Sequence, residues 1–181
     1  MMIIDGKKEA EILRLEIKKE IDLLKSKNNK VPGLTVILIG DFAPSQIYVK
    51  NKEKSAKEVG INSSVVRYSK EVTEDEVLKK IEDLNNDTDV SGILVQLPLP
   101  PQINKEKIIN AINPKKDVDG FHPMNVGNLS SGYHAIVPCT PLGCLYLIKK
   151  VENNLSGKHA VIIGRSLSLI HISEPTRLSG I

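Results

Sequence analysis

Several residue types that mark particular classes of protein are scarce in this 181-residue chain. It has no Trp, and aromatic residues make up 3% of it, which argues against stacked platforms for single-stranded nucleic acid. Basic residues barely outnumber acidic ones, 25 against 22, so the net charge does not favour a nucleic-acid partner. No apolar run is long enough to cross a membrane, and no secretory signal precedes the first charged helical pattern. We therefore expect a cytoplasmic protein with no nucleic-acid or membrane partner.

Cysteine is scarce as well. The two cysteines, Cys139 and Cys144, lie close together with no adjacent His, a pattern that does not favour a zinc site. We expect two reduced thiols and no bound metal. The rest of the composition, 40% hydrophobic and 26% charged, is that of an ordinary globular protein.

Helical and strand patterns alternate along the chain, which predicts an α/β fold with a mostly parallel sheet and helices on both faces. The first helix is predicted from Asp5 to about Lys27, with an apolar stripe of Ala10, Leu13, Ile17, Ile21 and Leu24. The further predicted elements are a strand at 34–39, a helix at 44–59, a strand at 61–68, a helix from residue 73, a strand at 92–100, a helix at 105–112, a helix at 141–151 and a strand at 159–164.

Local signals mark some of the element ends. Thr73 and Glu76 have the spacing of a capping box, and Gly60 is predicted to end the helix before it. Thr140 is a candidate cap for the helix that begins at Pro141. Residues 121–138 show no clear period, so we predict a loop there.

Three polar residues, Ser45, Tyr48 and Lys52, fall three and four positions apart on the predicted helix 44–59. That spacing places them on one face of the helix, where it follows the carboxyl end of a buried strand. Ligands usually bind at this end in open α/β sheets. A lysine on a partly buried face can act as a general base or as a donor that activates water, and Tyr48 offers a stacking surface. The spacing alone leaves open a surface lysine with Tyr48 half in the core.

Two further polar residues follow predicted strands. Gln96 stands near the end of an apolar strand, so both its carbonyl and its amide need partners; the alternative is a side chain that points outward at a sheet edge. Asp119 lies between Val118 and Gly120, where a carboxylate could accept two hydrogen bonds from an amidine-like ring edge. The alternative for Asp119 is a turn residue.

These stretches together resemble the bifunctional methylenetetrahydrofolate dehydrogenase/methenyltetrahydrofolate cyclohydrolase family (the FolD family). The match runs in order through residues 1–166, and several of its segments are long and nearly gapless. They are residues 40–41 with 44–49 (GD and PSQIYV), 92–100 (GILVQLPLP), 116–123 (KDVDGFHP), 138–141 (PCTP) and 163–166 (IGRS).

The resemblance implies an enzyme of one-carbon folate metabolism, including purine biosynthesis, that forms a homodimer. Such an enzyme oxidises 5,10-methylenetetrahydrofolate with NADP and hydrolyses the methenyl product to 10-formyltetrahydrofolate. Lys52 would be the central group of the hydrolysis, with Gln96 hydrogen-bonded to it, and Tyr48 would stack on the substrate while Asp119 holds the pterin edge. The implied substrate-binding residues are Ser45, Tyr48, Lys52, Val95, Gln96, Leu97 and Asp119, and those for NADP are Gly164, Arg165 and Ser166.

The resemblance also implies a domain arrangement. We expect a three-layer folate-binding and catalytic domain at residues 1–138, followed at 139–166 by the start of a Rossmann NAD(P)-binding domain. After Ser166 the family pattern stops, and residues 167–181 resemble one reading frame of a sequencing adapter. We therefore expect a C-terminally truncated chain with a non-native tail, and the loss of the dehydrogenase step. A genuine divergent terminus is the alternative.

Two other functions fit some of the residues. The Tyr48-x-x-x-Lys52 spacing matches the pair of short-chain dehydrogenases, but nothing before Tyr48 supplies the Gly-rich dinucleotide loop of that family. A folate-binding paralogue without turnover is the other alternative, against which the presence of Lys52 and Gln96 argues.

Overall fold

A computed structural model describes residues 3–28, 30–161 and 163 of the chain. Helices and strands alternate through most of this length. In chain order the elements are α1 (Gly6–Asn28), β1 (Gly33–Ile39), α2 (Ala43–Glu58), β2 (Asn62–Tyr68), α3 (Glu74–Asn86), β3 (Gly92–Val95), α4 (Lys105–Ala111), α5 (Pro123–Ser130) and α6 (Cys139–Lys149).

The three strands form a parallel sheet in the order β2-β1-β3. Ile39 of β1 is in register with Tyr68 of β2, and Ile37 with Val95 of β3. The strand ends that precede α2 and α3 therefore lie at the same edge of the sheet as the end of β3. This confirms the predicted parallel α/β architecture and brings the segments after all three strands to one edge.

The central strand is buried on both faces, as expected for a parallel strand covered by helices. One face, with Ile37 and Ile39, packs on α3 and α4 in the larger core cluster. The other face, with Val36 and Leu38, packs on Val49 of α2 in a smaller one. The larger cluster consists of Ile37, Ile39, Val72, Val77, Ile81, Leu84, Val90, Ile93, Val95, Ile103, Ile108 and Ile112, and the smaller of Val36, Leu38, Val49 and Leu94.

The predicted end signals of the central helices are present. Thr73 caps α3 in a capping box, with its hydroxyl accepting from the Glu76 N–H while the Glu76 carboxylate accepts from the Thr73 N–H. Gly60 follows the C-cap of α2 with a φ of 93°, a backbone conformation in which glycine is the residue of lowest cost.

The chain divides into two compact units. One comprises residues 10–118 and holds the whole sheet with α2, α3 and α4; the other groups the N-terminal residues up to Glu9 with the residues from Asp119 onward. α1 crosses the division near its beginning. The predicted domain boundary at residue 138 stays a prediction.

Three element predictions in the C-terminal part of the chain are wrong. Residues 121–138 are not all loop, because α5 begins at Pro123, where proline suits a first helical turn. α6 begins at Cys139, one residue before the expected cap Thr140, and its N-cap is Pro138 with no side-chain hydrogen bond. The strand predicted at 159–164 is not formed by the residues that the structure describes there, 159–161 and 163, and Val161 and Ile163 are exposed. Residues 162 and 164 of this prediction lie outside the described residues.

Two predictions in the larger unit need smaller corrections. The strand predicted at 92–100 ends at Val95, because the segment that follows turns away through three prolines and leaves the ladder. The stripe on α1 is only partly covered: Ile21 is buried, but Leu13 and Leu24 are exposed. Within the described residues, no helix has the length and apolar character of a membrane span.

Candidate active site

The candidate site is built on α2, which begins directly after the end of β1. Pro44 lies in its first turn, where the missing N–H costs no hydrogen bond. Ser45, Val49 and Ala56 form the buried side of the helix, with 3%, 0% and 7% of their surface exposed. Because Lys52 follows Ser45 by seven residues, almost two turns, both lie along the same flank of α2.

A hydrogen bond joins this flank to the segment after β3. Lys52 Nζ donates to Gln96 Oε1 at 3.0 Å, and Gln96 Nε2 donates to the Leu97 carbonyl at 2.8 Å. The Gln96 backbone N–H donates to the Ile37 carbonyl at 2.9 Å, which fixes Gln96 against the central strand. Both ends of the side-chain amide therefore have partners, as the position of Gln96 after an apolar strand predicted.

Ser45 extends the network at its other end. Its hydroxyl donates to the Leu97 carbonyl at 3.4 Å, a long distance for an O–H···O bond. The Leu97 carbonyl thus receives a strong hydrogen bond from Gln96 and a weak one from Ser45. Four of the predicted site residues, Ser45, Lys52, Gln96 and Leu97, are in this way connected within one unit of the chain.

Of the two alternatives left open for Lys52, a partly buried lysine and a surface lysine, the structure shows the second, because its side chain is exposed. Tyr48, one turn before Lys52, is 59% exposed. Tyr48 is therefore not half in the core, and its ring is accessible to a flat ligand.

The other predicted site residues differ in how the structure places them. Val95 is 6% exposed and belongs to the larger core cluster, so this residue is buried beside the network. Asp119 is half-buried and belongs to the second unit. The residues predicted to bind NADP, Gly164, Arg165 and Ser166, lie outside the described residues.

Two residues beside this site, Gln46 and Arg67, were not predicted from the sequence. Gln46 Nε2 donates to the Gly40 carbonyl at 3.1 Å, and Arg67 Nη1 donates to Gln46 Oε1 at 2.7 Å. Gln46 follows Ser45 directly, so it projects from a different flank of α2. A signal was available in the spacing, since Gln46 and Glu53 are seven residues apart and form a second polar flank.

Charges on this second flank perturb Glu53. The hydrogen bond from Lys57 and the charge of Lys57 lower the pKa of the Glu53 carboxyl, and the charge of Arg67 lowers it further. Arg67 therefore lies close enough to α2 to act on two of its side chains. In the part of the chain that the structure describes, no cluster of three or more His, Cys, Asp or Glu residues is placed to hold a metal ion.

The fold and site define an α/β protein whose polar centre joins a helix to the carboxyl edge of a parallel sheet. Comparison with known families gives this class a name. The family model described as the catalytic domain of tetrahydrofolate dehydrogenase/cyclohydrolase matches residues 4–119. The chain belongs to the tetrahydrofolate dehydrogenase/cyclohydrolase family, as its sequence motifs predicted. This leaves no basis for the short-chain dehydrogenase interpretation of Tyr48 and Lys52.

Curated relatives agree with this assignment. The chain is 66% identical over 166 residues to the bifunctional protein FolD of Pelagibacter ubique, covering 92% of this chain and 59% of that protein. It is 54% identical over 164 residues to the bifunctional protein FolD of Streptococcus pyogenes, covering 91% and 58%. The chain thus spans less than two thirds of the length of these relatives.

Solved structures show the same fold. The bifunctional FolD enzyme of Campylobacter jejuni superposes with a TM-score of 0.93 at 45% identity, covering 98% of this chain and 63% of that one. The dehydrogenase-cyclohydrolase of Trypanosoma brucei, solved with NADP cofactor and inhibitor, superposes with a TM-score of 0.92 at 32% identity, covering 98% and 61%.

Proposed function

We propose that this chain carries the folate-binding and cyclohydrolase centre of a bifunctional enzyme of one-carbon metabolism. The whole enzyme oxidises 5,10-methylenetetrahydrofolate with NADP and hydrolyses 5,10-methenyltetrahydrofolate to 10-formyltetrahydrofolate. The observation that carries the proposal is the 3.0 Å hydrogen bond between Lys52 Nζ and Gln96 Oε1. It holds an exposed amine at the sheet edge where ligands of open α/β folds bind.

The hydrolysis needs a positioned proton donor and acceptor more than it needs a covalent intermediate. Water adds to the methenyl carbon and loses one proton, which leaves a hydroxyl on that carbon. The hydroxyl then loses its proton as the formyl C=O forms and one carbon–nitrogen bond breaks. The leaving nitrogen takes one proton, so one proton is released overall. In our proposal the Lys52 amine moves these protons and stabilises the oxygen that develops charge. Gln96 orients the amine and helps to place the water, because its side-chain amide donates to the Leu97 carbonyl and its backbone N–H donates to the Ile37 carbonyl.

The neighbouring residues supply binding. The exposed Tyr48 ring offers a stacking surface for the pterin and aminobenzoyl part of folate. Ser45 and the Val95–Leu97 backbone border the same network, and we propose that they contact the substrate there. Asp119 is proposed to accept hydrogen bonds from the pterin edge, where a carboxylate matches adjacent ring N–H groups.

NADP serves as the hydride acceptor in the oxidation when it is bound. Because Gly164, Arg165 and Ser166 lie outside the described residues, we derive no step through the cofactor. We further propose that the protein is cytoplasmic and forms a homodimer, as the family resemblance implied. A folate-binding protein without turnover is the competing function, and it is distinguished by the following experiment.

Replacement of Lys52 tests the proposed function. We expect Lys52→Ala to lower kcat for hydrolysis of methenyltetrahydrofolate by roughly 100-fold or more, because a positioned acid–base group contributes about that much. The decay of the methenyl absorbance measures the rate. Lys54→Ala is the matched control. Lys54 lies on the same helix, its side chain is 75% exposed, and its ammonium group forms a surface ion pair with Glu58. Equal rates for wild type and Lys52→Ala would refute the proposal, and folate binding without turnover would favour the competing function.

A further inference from the structure

A ring of hydrogen bonds joins the beginning of α2 to the ends of β1 and β2. The Gln46 side chain donates to the Gly40 carbonyl at 3.1 Å and accepts from Arg67 Nη1 at 2.7 Å. The Gly40 N–H donates to the Tyr68 carbonyl at 2.9 Å, and Tyr68 is the covalent neighbour of Arg67. The ring therefore closes through two strands and one helix.

This ring lies on the opposite flank of α2 from the proposed active site. Ser45 and Lys52 face the segment after β3, which they contact through Leu97 and Gln96. Gln46 faces the end of β2 through Arg67. The helix is thus held from both flanks, with Val49 buried between them. The orientation of α2 about its own axis depends on both sets of contacts.

The buried apolar residues of α2 are Val49 and Ala56. The N-cap residue Phe42 makes no side-chain capping bond, and Phe42 is itself 55% exposed. The core cluster under α2 is the smaller of the two, and Val49 is the residue that α2 contributes to it. The polar contacts of Gln46 therefore supplement this apolar packing in holding α2 in place.

We infer that Gln46, held by Arg67, is a positioning residue that sets where Lys52 lies relative to Gln96. It acts through the helix, since its side chain bonds to Gly40 and Arg67 and not to the Lys52–Gln96 pair. Loss of the Gln46 contacts allows α2 to rotate about its own axis, and this rotation moves Lys52 Nζ away from Gln96 Oε1, to which it donates at 3.0 Å. The kinetic consequence of this inference rests on the proposed function.

Kinetics of matched variants give the first test. Gln46→Leu removes both hydrogen bonds at similar volume, and we expect kcat for methenyl hydrolysis to fall roughly tenfold with KM changed less than about threefold, since small misplacements of a reacting group cost rate strongly. Asn51→Leu, at an exposed amide of the same helix, should leave both constants unchanged. Arg67→Met should lower kcat in the same direction, and Arg67→Lys, which keeps a cationic donor, should restore most of it.

A second readout does not depend on activity. Brief acetylation of the native chain with acetic anhydride, followed by peptide mass spectrometry, gives the labelling of Lys52 relative to Lys54. We expect this ratio to rise roughly threefold in Gln46→Leu, because the Lys52 amine is released from its acceptor, and to stay constant in Asn51→Leu. The inference is overturned if Gln46→Leu matches Asn51→Leu in this ratio. Equal hydrolysis by wild type and Lys52→Ala would instead refute the proposed function, while the labelling ratio still decides the role of Gln46.

Discussion

At the scale of single residues, hydrogen-bonding needs were a better guide to the site than burial. Gln96 needed partners for both ends of its amide, and the structure supplies them in Lys52 and Leu97. The burial of Lys52 could not be judged from helical spacing, because spacing fixes the face of a helix but not whether other elements cover that face. For the same reason the contacts of Gln46 with Gly40 and Arg67 could not be predicted.

Replacement of Gln96 should separate activity from stability. Gln96→Leu leaves an exposed amine without its acceptor and removes one donor to the Leu97 carbonyl, so we expect less than about 1 kcal/mol of lost stability. Hydrolysis should nevertheless fall roughly tenfold or more, because Lys52 loses its orientation. Urea denaturation and the methenyl decay assay measure the two quantities.

Gln102 provides the reciprocal control for Gln96. Its side chain also donates to backbone carbonyls, those of Lys70 and Val72, but it makes no contact with the Lys52 network. Gln102→Leu should therefore lower stability by a similar amount and leave hydrolysis unchanged. A Gln96→Leu variant that loses stability but retains full activity would contradict the role proposed for Gln96.

At the scale of elements, strong local signals were reliable and weak ones were not. The capping box at Thr73 and the glycine after α2 are local chemistry, so the sequence contained all that was needed to predict them. α5 is short and has no apolar period, although Pro123 and the His122 side chain, which accepts from the Met124 N–H, mark its start. The strand predicted at 159–164 rested on a local apolar run, and such a run carries no information about pairing with another strand.

The capping box of α3 gives a prediction that depends on pH. Hydrogen bonds from the Thr73 hydroxyl and N–H lower the pKa of the Glu76 carboxyl. The ionised Glu76 carboxylate therefore adds its full contribution to stability above the pKa that this carboxyl has in the unfolded chain. The contribution is lost as the pH falls through the lower pKa of Glu76 in the folded chain. Thr73→Ala should cost about 1 kcal/mol near neutral pH, and this difference from wild type should narrow in acid.

Denaturation at several pH values measures this effect. Thr73→Ser keeps a hydroxyl at the cap and should follow the wild-type curve throughout. The hydrogen bond from the Glu76 N–H to the residue-73 hydroxyl does not titrate, so we expect the difference for Thr73→Ala to shrink without vanishing. A difference that stays constant from neutral to acid pH would show that the carboxylate plays no part in the cap.

At the scale of the whole molecule, the two faces of the sheet are stabilised in different ways. The face toward α3 and α4 has the large apolar cluster, with Ile81 fully buried. The face toward α2 has the small cluster around Val49, supplemented by polar contacts on both flanks of the helix. Stability is thus concentrated on one face of the sheet, and the proposed chemistry is on the other. The alternation of strands and helices predicted the layers. Which face of the sheet has the larger apolar cluster depends on side-chain packing, which only the folded chain shows.

This asymmetry leads to opposite expectations for two core substitutions. Ile81→Ala should cost about 2–5 kcal/mol of unfolding free energy, while the folded protein hydrolyses methenyltetrahydrofolate with unchanged kcat, because α3 does not hold the Lys52 network. Val49→Ala removes two buried methyl groups and should lower the free energy of unfolding by about 2 kcal/mol. It should also lower kcat, since Val49 packs α2 against the sheet and lies between Tyr48 and Lys52 in the sequence of the helix. Denaturation curves and initial rates, taken at a temperature where both variants are folded, test the contrast. Equal kcat values for the two variants would mean that the α2 face is held firmly without Val49.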